Sequence, residues 1–141
     1  MKEPKTFPVN SFKDSRGKIE FSNEFDFSEF KRFYLISPAY KNQIRAWQGH
    51  REEEKAFYAV SGKIKLVLIP VFDFESGGFG TPEERILDEE NPELILVPGG
   101  FLNGFQFLTE ESRLMVFSNF TLKESQYDDY RFEASKFYKW E

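Results

Sequence analysis

The chain of 141 residues contains no cysteine, a single histidine and only two methionines. Without cysteine, disulfide bonds and zinc sites built from thiolates are excluded. A chain that needs no disulfide is typical of the cytosol, so we expect a cytoplasmic protein. Residues 1–9 hold two lysines, two prolines and no apolar run, unlike a signal peptide, and no later stretch is long enough to cross a membrane.

Positive charge is also in short supply, because 19 Lys and Arg stand against 24 Asp and Glu, a net charge of −5. That balance argues against a general nucleic-acid binder. An anionic small ligand is not excluded, since a local group of arginines can oppose the overall field. The length fits one domain with a sizeable core, and we expect residues 1–141 to form it.

Aromatic residues are abundant instead: they make up 18 % of the chain and include 18 phenylalanines. Flat rings pack well on the pleated surface of a β-sheet. Short apolar runs bounded by turn residues predict strands at 18–21, 32–37, 43–48 and 94–97. Many short strands with regular turns predict an all-β sandwich or barrel.

Two turn segments predict β-hairpins. Residues 55–60 and 63–71 flank Ser61-Gly62, and residues 105–108 and 113–120 flank the turn at 109–112. The glycine-rich stretch 73–84 is predicted to be a loop. In the tail, one face of a short helix could carry the apolar residues Phe132, Ala134, Phe137 and Tyr138.

A group of polar residues near the middle of the chain is capable of chemistry. In an extended strand Gln48 and His50 point to the same face, and Arg45 points to the other face unless a bulge intervenes. Lys55 follows a turn and could return beside His50. Histidine has a pKa near 6.5, which suits proton transfer beside a cationic lysine. The alternative is a surface histidine next to the charged loop 51–54.

Several short motifs, in this order and spacing, resemble those of the dTDP-4-dehydrorhamnose 3,5-epimerases and the dTDP-4-oxo-sugar 3,4-ketoisomerases, which are cupins. Residues 14–17 resemble D-x-R-G, and residues 45–50 resemble both R-G-L-H-Y-Q and R-G-x-H-x-H. Residues 97–108 resemble I-P-x-G-F-A-H-G-F-Q-V-L, although alone the glycines and proline there predict only a tight corner. Further matches are Lys55 and residues 60–64, 75–80 and 127–131.

The resemblance implies an RmlC-like cupin barrel of two facing antiparallel sheets, with a short C-terminal tail or helix packed outside. It also implies a homodimer, because the N-terminal strand of the family pairs across a dimer. Arg16 and Arg45 fall on arginines that contact the nucleotide diphosphate in the family, and guanidinium suits bidentate phosphate contacts. Trp47, Phe57 and Tyr58 could stack on a base or a sugar.

The chain departs from the family at its catalytic positions. The catalytic histidine falls on Gln48, whose carboxamide does not titrate near neutral pH. The histidine of G-F-A-H-G-F falls on Asn103. The acid tyrosine falls near Phe117 or Phe120, and neither can donate a proton. His50 stands at the second histidine of the ketoisomerase pattern.

Metal-binding cupins use H-x-H-x(3,4)-E followed by P-x-G-x-x-H. The corresponding residues in this chain are Gln48, His50, Glu54, Pro98, Gly100 and Asn103. Carboxamides therefore replace two of the four ligands, and carboxamides are poor ligands for transition metals. We expect no metal and no other cofactor.

Three functions remain. The first is an epimerase or ketoisomerase of a nucleotide-linked 4-keto-6-deoxy sugar: His50 removes a proton beside the ketone, Lys55 stabilises the enolate oxygen, and Gln48 and Asn103 contact the substrate. With one histidine and no acid tyrosine, we expect reaction at one carbon. The second is a catalytically inactive nucleotide-sugar-binding cupin, a partner or sensor in sugar biosynthesis. The third is a cupin with an unrelated apolar ligand.

Overall fold

The computed structural model describes residues 2–141 as thirteen short strands and one helical turn. In chain order these are β1 (Lys5–Pro8), β2 (Asn10–Asp14), β3 (Gly17–Phe21), β4 (Arg32–Ile36), β5 (Ile44–His50), β6 (Lys55–Ser61), β7 (Lys63–Asp73), β8 (Gly78–Phe79), β9 (Glu83–Asp88), β10 (Glu93–Val97), β11 (Phe101–Phe107), β12 (Arg113–Ser118), α1 (Leu122–Ser125) and β13 (Tyr130–Arg131).

The strands form two main antiparallel sheets that face each other. The first has the order β1-β10-β6-β12-β4. The second has the order β13-β5-β11-β7-β8, with β9 also paired to β7. Strands β2 and β3 form a separate two-stranded hairpin. The all-β prediction and the prediction of two facing antiparallel sheets are confirmed.

The fold has three apolar layers, one between the two sheets and one on the outer face of each sheet, and strand β7 contributes to two of them. Because side chains alternate along a strand, Ile64, Leu66 and Leu68 face the space between the sheets, while Val67 and Ile69 face outward. The inner layer is the main core. The outer layers are covered by other parts of the chain, which is why β7 is apolar on both faces.

The outer face of the first sheet is covered by the N-terminal segment. Phe25 packs there on Ala56 and Leu94. The rings of Phe7 and Phe27 meet Phe25 edge-on, with centroid distances of 5.1 Å and 4.6 Å. Much of the phenylalanine content is therefore outer-layer packing.

The outer face of the second sheet is covered by the C-terminal tail, and the helix predicted over Phe132, Ala134, Phe137 and Tyr138 is wrong. The backbone of Phe132 exchanges two hydrogen bonds with Trp47 of β5, so its polar groups are satisfied without a helix. An irregular tail spreads its rings over a wide sheet surface, which one helical face could not do. The predicted packing of the tail outside the barrel is confirmed.

Both predicted hairpins are wrong, because each turn carries the chain from one sheet to the other. Strand β6 lies in the first sheet and β7 in the second, and β11 and β12 are likewise divided. Turn residues signal a reversal of direction, but they do not determine whether the next strand pairs with the last or crosses the core. Here each strand buries its apolar inner face against the opposite sheet.

The predicted loop at 73–84 contains β8 and the start of β9, which pairs with β7. The charged side chains of Glu83, Glu84 and Arg85 hide this strand in the sequence, and charge of this kind is common on edge strands. None of the helices within residues 2–141 is long and apolar enough to cross a membrane.

The corner at Gly62 is tightly packed against the second corner. Gly62 has φ of +77°, and a β-carbon there would lie 2.4 Å from the hydroxyl oxygens of Thr109 and Ser112. Gly77 has a similar φ of +82°, but a β-carbon there would meet only the ring of Phe79 at 3.6 Å. A side chain at Gly62 would therefore meet both backbone strain and crowding, whereas one at Gly77 would meet backbone strain alone.

We predict that Gly62→Ala lowers the free energy of unfolding by about 3 kcal/mol, because left-handed strain and crowding add. The matched control Gly77→Ala, with strain alone, should lose about 1 kcal/mol. Urea denaturation measures both. Equal losses in the two variants would contradict the packing of one corner on the other.

Candidate active site

A cavity of about 640 Å³ lies between the two sheets, bordered by α1 and the tail. Its volume is in the range of small-molecule sites. Phe57, Phe105 and Val116 belong both to the core and to the cavity lining, so the core forms its apolar floor. Its polar lining residues are Arg32, Tyr34, Arg45, Gln48, Lys55, Asn103, Ser125, Gln126, Asp129 and Arg131.

A β-bulge determines which β5 side chains reach the cavity. Gln48 pairs with Asn103, but Arg45 pairs with Phe105, so β5 has one extra residue opposite Gly104. The bulge shifts the alternation along the strand. As a result Arg45 and Gln48 both line the cavity, which strict alternation would not allow.

Three polar side chains form a line across the cavity. The Lys55 Nζ donates to Gln48 Oε1 at 2.9 Å, and Gln48 Nε2 donates to Asp129 Oδ1 at 3.1 Å. Lys55 is 4 % exposed, and this burial lowers its pKa to about 8. Burial raises the pKa of Asp129, but hydrogen bonds from Gln48 and Arg131 outweigh it and lower that pKa below the usual value.

Tyr34 of β4 lines the cavity and escaped the sequence analysis. Its ring lies 5.2 Å from the Arg32 guanidinium carbon and 5.8 Å from Lys55 Nζ. Burial raises the pKa of Tyr34 to about 12, so the phenol keeps its proton at neutral pH. The signal in the sequence that could have identified Tyr34 is the two-residue alternation of a strand, which puts Arg32, Tyr34 and Ile36 on one face.

His50 is 3 % exposed and does not belong to the cavity lining. Its Nδ1 lies 2.5 Å from the carbonyl oxygen of Asp128 and 3.3 Å from Glu53 Oε1. A carbonyl only accepts, so Nδ1 carries the hydrogen. Burial lowers the pKa of His50, and Lys55 lowers it further, against the opposing hydrogen bond to Asp128. The ring is therefore neutral at pH 7, and within residues 2–141 its buried Nε2 has no hydrogen-bond partner.

Glu53 is a buried carboxylate, 1 % exposed, held by partners from several elements. It accepts from Ser118 Oγ and Ser125 Oγ, both at 2.6 Å, and from Arg32 Nη2 at 3.4 Å. Ser125 lies in α1. The network therefore fixes the helix that borders the cavity.

Asp128 holds the tail to the same end of the barrel. Its carboxylate accepts from the backbone N–H groups of Arg51, Glu52 and Glu53 at 2.6 to 2.8 Å. Strand β13 continues this contact by pairing with β5. The tail is thus part of the cavity wall.

The structure brings together four of the six predicted site residues: Arg45, Gln48, Lys55 and Asn103 line the cavity. His50 lies outside the lining. Arg16 is also outside the cavity of its own chain, in the turn between β2 and β3, where Arg16 Nη2 pairs with Asp14 Oδ2 at 2.6 Å.

The aromatic candidates divide in the same way. Trp47 and Phe57 line the cavity, whereas Tyr58 points outward and its hydroxyl donates to Glu20 at 3.3 Å. Phe117 packs in the outer layer of the first sheet, and Phe120 is not a lining residue. No three His, Asp or Glu side chains within residues 2–141 converge to hold a metal ion.

We predict that Glu53→Gln lowers the free energy of unfolding by about 3 kcal/mol, because it removes one member of a buried, hydrogen-bonded charge pair. The neighbouring Glu52→Gln is the matched control, since Glu52 is exposed, and should cost less than about 0.5 kcal/mol. Urea denaturation of both variants measures the difference. A negligible loss in Glu53→Gln would show that the network does not hold this end of the barrel.

Solved structures share the fold. QdtA, a sugar 3,4-ketoisomerase from Thermoanaerobacterium thermosaccharolyticum in complex with TDP, is 16 % identical, with 92 % of this chain and 88 % of that chain covered and a TM-score of 0.70. The dTDP-4-dehydrorhamnose 3,5-epimerase from Sulfolobus tokodaii is 24 % identical, with coverages of 97 % and 80 % and a TM-score of 0.77. WlaRA, a TDP-fucose-3,4-ketoisomerase from Campylobacter jejuni, is 15 % identical, with coverages of 87 % and 87 % and a TM-score of 0.65.

These likenesses confirm the RmlC-like cupin fold that the motifs implied. No curated protein sequence matches the chain. A family model described as WxcM-like, C-terminal, matches residues 2–139, which is nearly the whole sequence. The chain therefore belongs to the WxcM-like, C-terminal family.

Proposed function

We propose that this protein is a sugar-nucleotide isomerase, an epimerase or ketoisomerase that acts at one carbon beside the ketone of a nucleotide-linked 4-keto-6-deoxy sugar. One observation carries the proposal: a single cavity holds both basic side chains suited to a diphosphate and groups suited to proton transfer. Membership of the WxcM-like family supports it. So does the likeness to QdtA, a point mutant of which was crystallised in complex with TDP-4-keto-6-deoxyglucose.

The charges of the lining suit an anionic ligand. Arg32, Arg45, Arg131 and Lys55 line the cavity, against the single carboxylate of Asp129. Arg32 pairs with Glu53 and Arg131 pairs with Asp129. Arg45 has no ion pair within residues 2–141, so it is the guanidinium that remains for a phosphate. A cavity of this polarity is poorly suited to an apolar ligand.

The chemistry follows from the ketone. A carbonyl at C4 acidifies the hydrogens on C3 and C5, and removal of one gives an enolate. The protonated phenol of Tyr34 can donate a hydrogen bond to the enolate oxygen as its charge develops. Phe117 and Phe120 cannot donate a hydrogen bond to the enolate, and Tyr34, which lies on β4, supplies that donor instead.

A second function, a binding protein without chemistry, is favoured by two particular residues. Gln48 and Asn103 line the cavity where the resemblance implies histidines, and neither carboxamide can remove a proton. Such a protein would bind the same nucleotide sugar as a partner or sensor. Exchange of carbon-bound hydrogen with solvent distinguishes the two functions.

The β2–β3 hairpin supports a homodimer as part of the proposal. An isolated two-stranded hairpin is marginally stable in water. Phe12 and Ile19, which are cross-strand neighbours, are 56 % and 62 % exposed. Burial of this face against a second copy would cover both side chains and carry Arg16 to the cavity of that copy.

We predict that Arg45→Ala and Arg16→Ala each weaken TDP binding by about 1.5–3 kcal/mol, the range for hydrogen bonds to charged groups. Arg85→Ala, on the far strand β9, is the control and should bind normally. Mixing the Arg16→Ala and Arg45→Ala proteins should restore normal affinity in roughly a quarter of the sites, because half of the random dimers would contain one intact site. Calorimetry measures both effects. Unchanged affinity in Arg16→Ala, or no recovery on mixing, would contradict the shared site.

We predict that incubation with TDP-4-keto-6-deoxyglucose in deuterium oxide labels one side of the ketone only: sugar that is recovered as the 4-keto form carries deuterium at C3 or at C5 but not at both, and a 3-keto product carries it at C4. Enolisation must exchange that hydrogen with solvent. Nuclear magnetic resonance of the recovered sugar locates the label. If the protein binds keto sugars but exchanges none of them, it is the binding protein and not the enzyme.

A further inference from the structure

The cavity contains few groups that could remove a proton from carbon. A guanidinium group does not act as a base in proteins, which excludes Arg32, Arg45 and Arg131. Tyr34 keeps its proton, because burial raises its pKa to about 12. Only Asp129 and Lys55 remain.

Asp129 is poorly suited to the task. Its Oδ1 accepts from both Gln48 Nε2 and Arg131 Nε, at 3.1 Å in each case. These hydrogen bonds outweigh burial and lower the pKa of the carboxyl group. A base of such low pKa is weak, because general-base efficiency is greatest when the pKa lies near the working pH.

We propose that Lys55, as the neutral amine, is the base that removes the proton beside the ketone. The inference rests on the proposed function and assigns to Lys55 a different role from that of a cation beside the enolate. His50, the base expected from the sequence, becomes a positioning residue.

The geometry of Lys55 leaves its lone pair available. Its Nζ donates to the neutral oxygen of Gln48, and within residues 2–141 it makes no ion pair closer than 4.0 Å. Asp129 orients the Gln48 amide by accepting from its Nε2, so the oxygen faces Lys55. A neutral amine can satisfy Gln48 with one N–H and still present its lone pair to a substrate.

The surroundings of Lys55 favour loss of its proton through burial, not through the neighbouring charges. Burial is the largest influence and lowers its pKa to about 8. Glu53 and Asp129 oppose this shift, while Arg32 and Arg131 support it. Tyr34 and Arg45 are the other titratable residues that line the cavity, and His50 and Asp128 lie at the same end of the barrel outside the lining.

His50 stabilises the cavity wall without lining the cavity itself. Its Nδ1–H donates to the Asp128 carbonyl, and Glu53 lies on the same side of the ring. These contacts join β5 to the tail. The residues that touch the cavity beside it are Gln48 and Asp129.

The step balances within the site. The Lys55 lone pair takes the hydrogen on C3 as a proton, the C–H electrons form the C3–C4 double bond, and the carbonyl π electrons move to O4. The ammonium then returns a proton to C4, while the hydroxyl proton of O3 passes to O4. The product is the 3-keto isomer, and the amine is regenerated. One base on one face of the sugar is sufficient for this transfer.

The pH dependence of kcat/KM for deuterium exchange separates three roles. If Lys55 is the base, the rate rises with pH and levels off above a midpoint of about 8, because the neutral amine is the active form. If Lys55 acts as a cation, the rate falls through the same range. If His50 is the base, the rate is level across it, because the pKa of His50 lies below its ordinary value.

Variants test the same assignment. Lys55→Arg keeps the cation but cannot accept a proton, so exchange should fall by about 10²–10⁴-fold. Methylamine should restore exchange in Lys55→Ala. Gln48→Glu places a carboxylate beside the amine and should move the rising limb to higher pH. Lys63→Met is the matched control on the surface, and its exchange rate should equal that of the unmodified protein.

The outcomes separate the two proposals. TDP binding and the melting temperature show whether each variant is folded, and if a variant is not, the pH profile of the unmodified protein decides. A falling or level profile, or exchange that survives in folded Lys55→Arg, overturns the role of Lys55 and leaves the proposed function in place. No exchange by the unmodified protein with a keto sugar that it binds overturns the proposed function itself.

Discussion

The buried carboxylate of Glu53 is the interaction on which this end of the barrel depends. A buried charge is costly unless its surroundings satisfy it. Here the partners come from β4, β12, α1 and β5, through Arg32, Ser118, Ser125 and His50. Elements distant in sequence must therefore meet at one point before the charge is compensated. The helix that borders the cavity is positioned by that requirement through Ser125, whereas the tail is held by the Asp128 carboxylate and by the packing of its rings on the second sheet.

In the cavity and in its wall the same competition between burial and charge decides what each group can do. Lys55 and His50 are both buried, and burial disfavours their charged forms. For Lys55 this moves the pKa toward neutral, where an amine becomes useful. For His50 it moves the pKa away from neutral and leaves an uncharged ring that serves packing and hydrogen bonding. Burial therefore suits Lys55 to the role of base and His50 to a structural role, which is the reverse of what their ordinary pKa values suggest.

The sequence predicts the local part of the fold well and the distant part poorly. Alternation and turn residues locate most strands, because they depend on neighbours in the chain. They could not show that the Ser61-Gly62 turn crosses between sheets, since that choice depends on packing across the core. The bulge that turns Arg45 into the cavity is likewise set by β11. Motif order predicted four of the lining residues, but motifs could not show that His50 is covered by a tail some 78 residues away. Tyr34 lies in none of the family motifs, and its place in the cavity depends on how the facing strands pack together.

The packing of the tail has a practical consequence for following this protein in solution. The chain has two tryptophans, and both lie where the tail meets the second sheet, with the Trp47 and Trp140 rings 5.3 Å apart. The indole of Trp47 also borders the cavity and donates to the Lys136 carbonyl. Rings this close couple their electronic transitions. Intrinsic fluorescence and near-ultraviolet dichroism therefore report on the seating of the tail before they report on the core, and they do so without any added label.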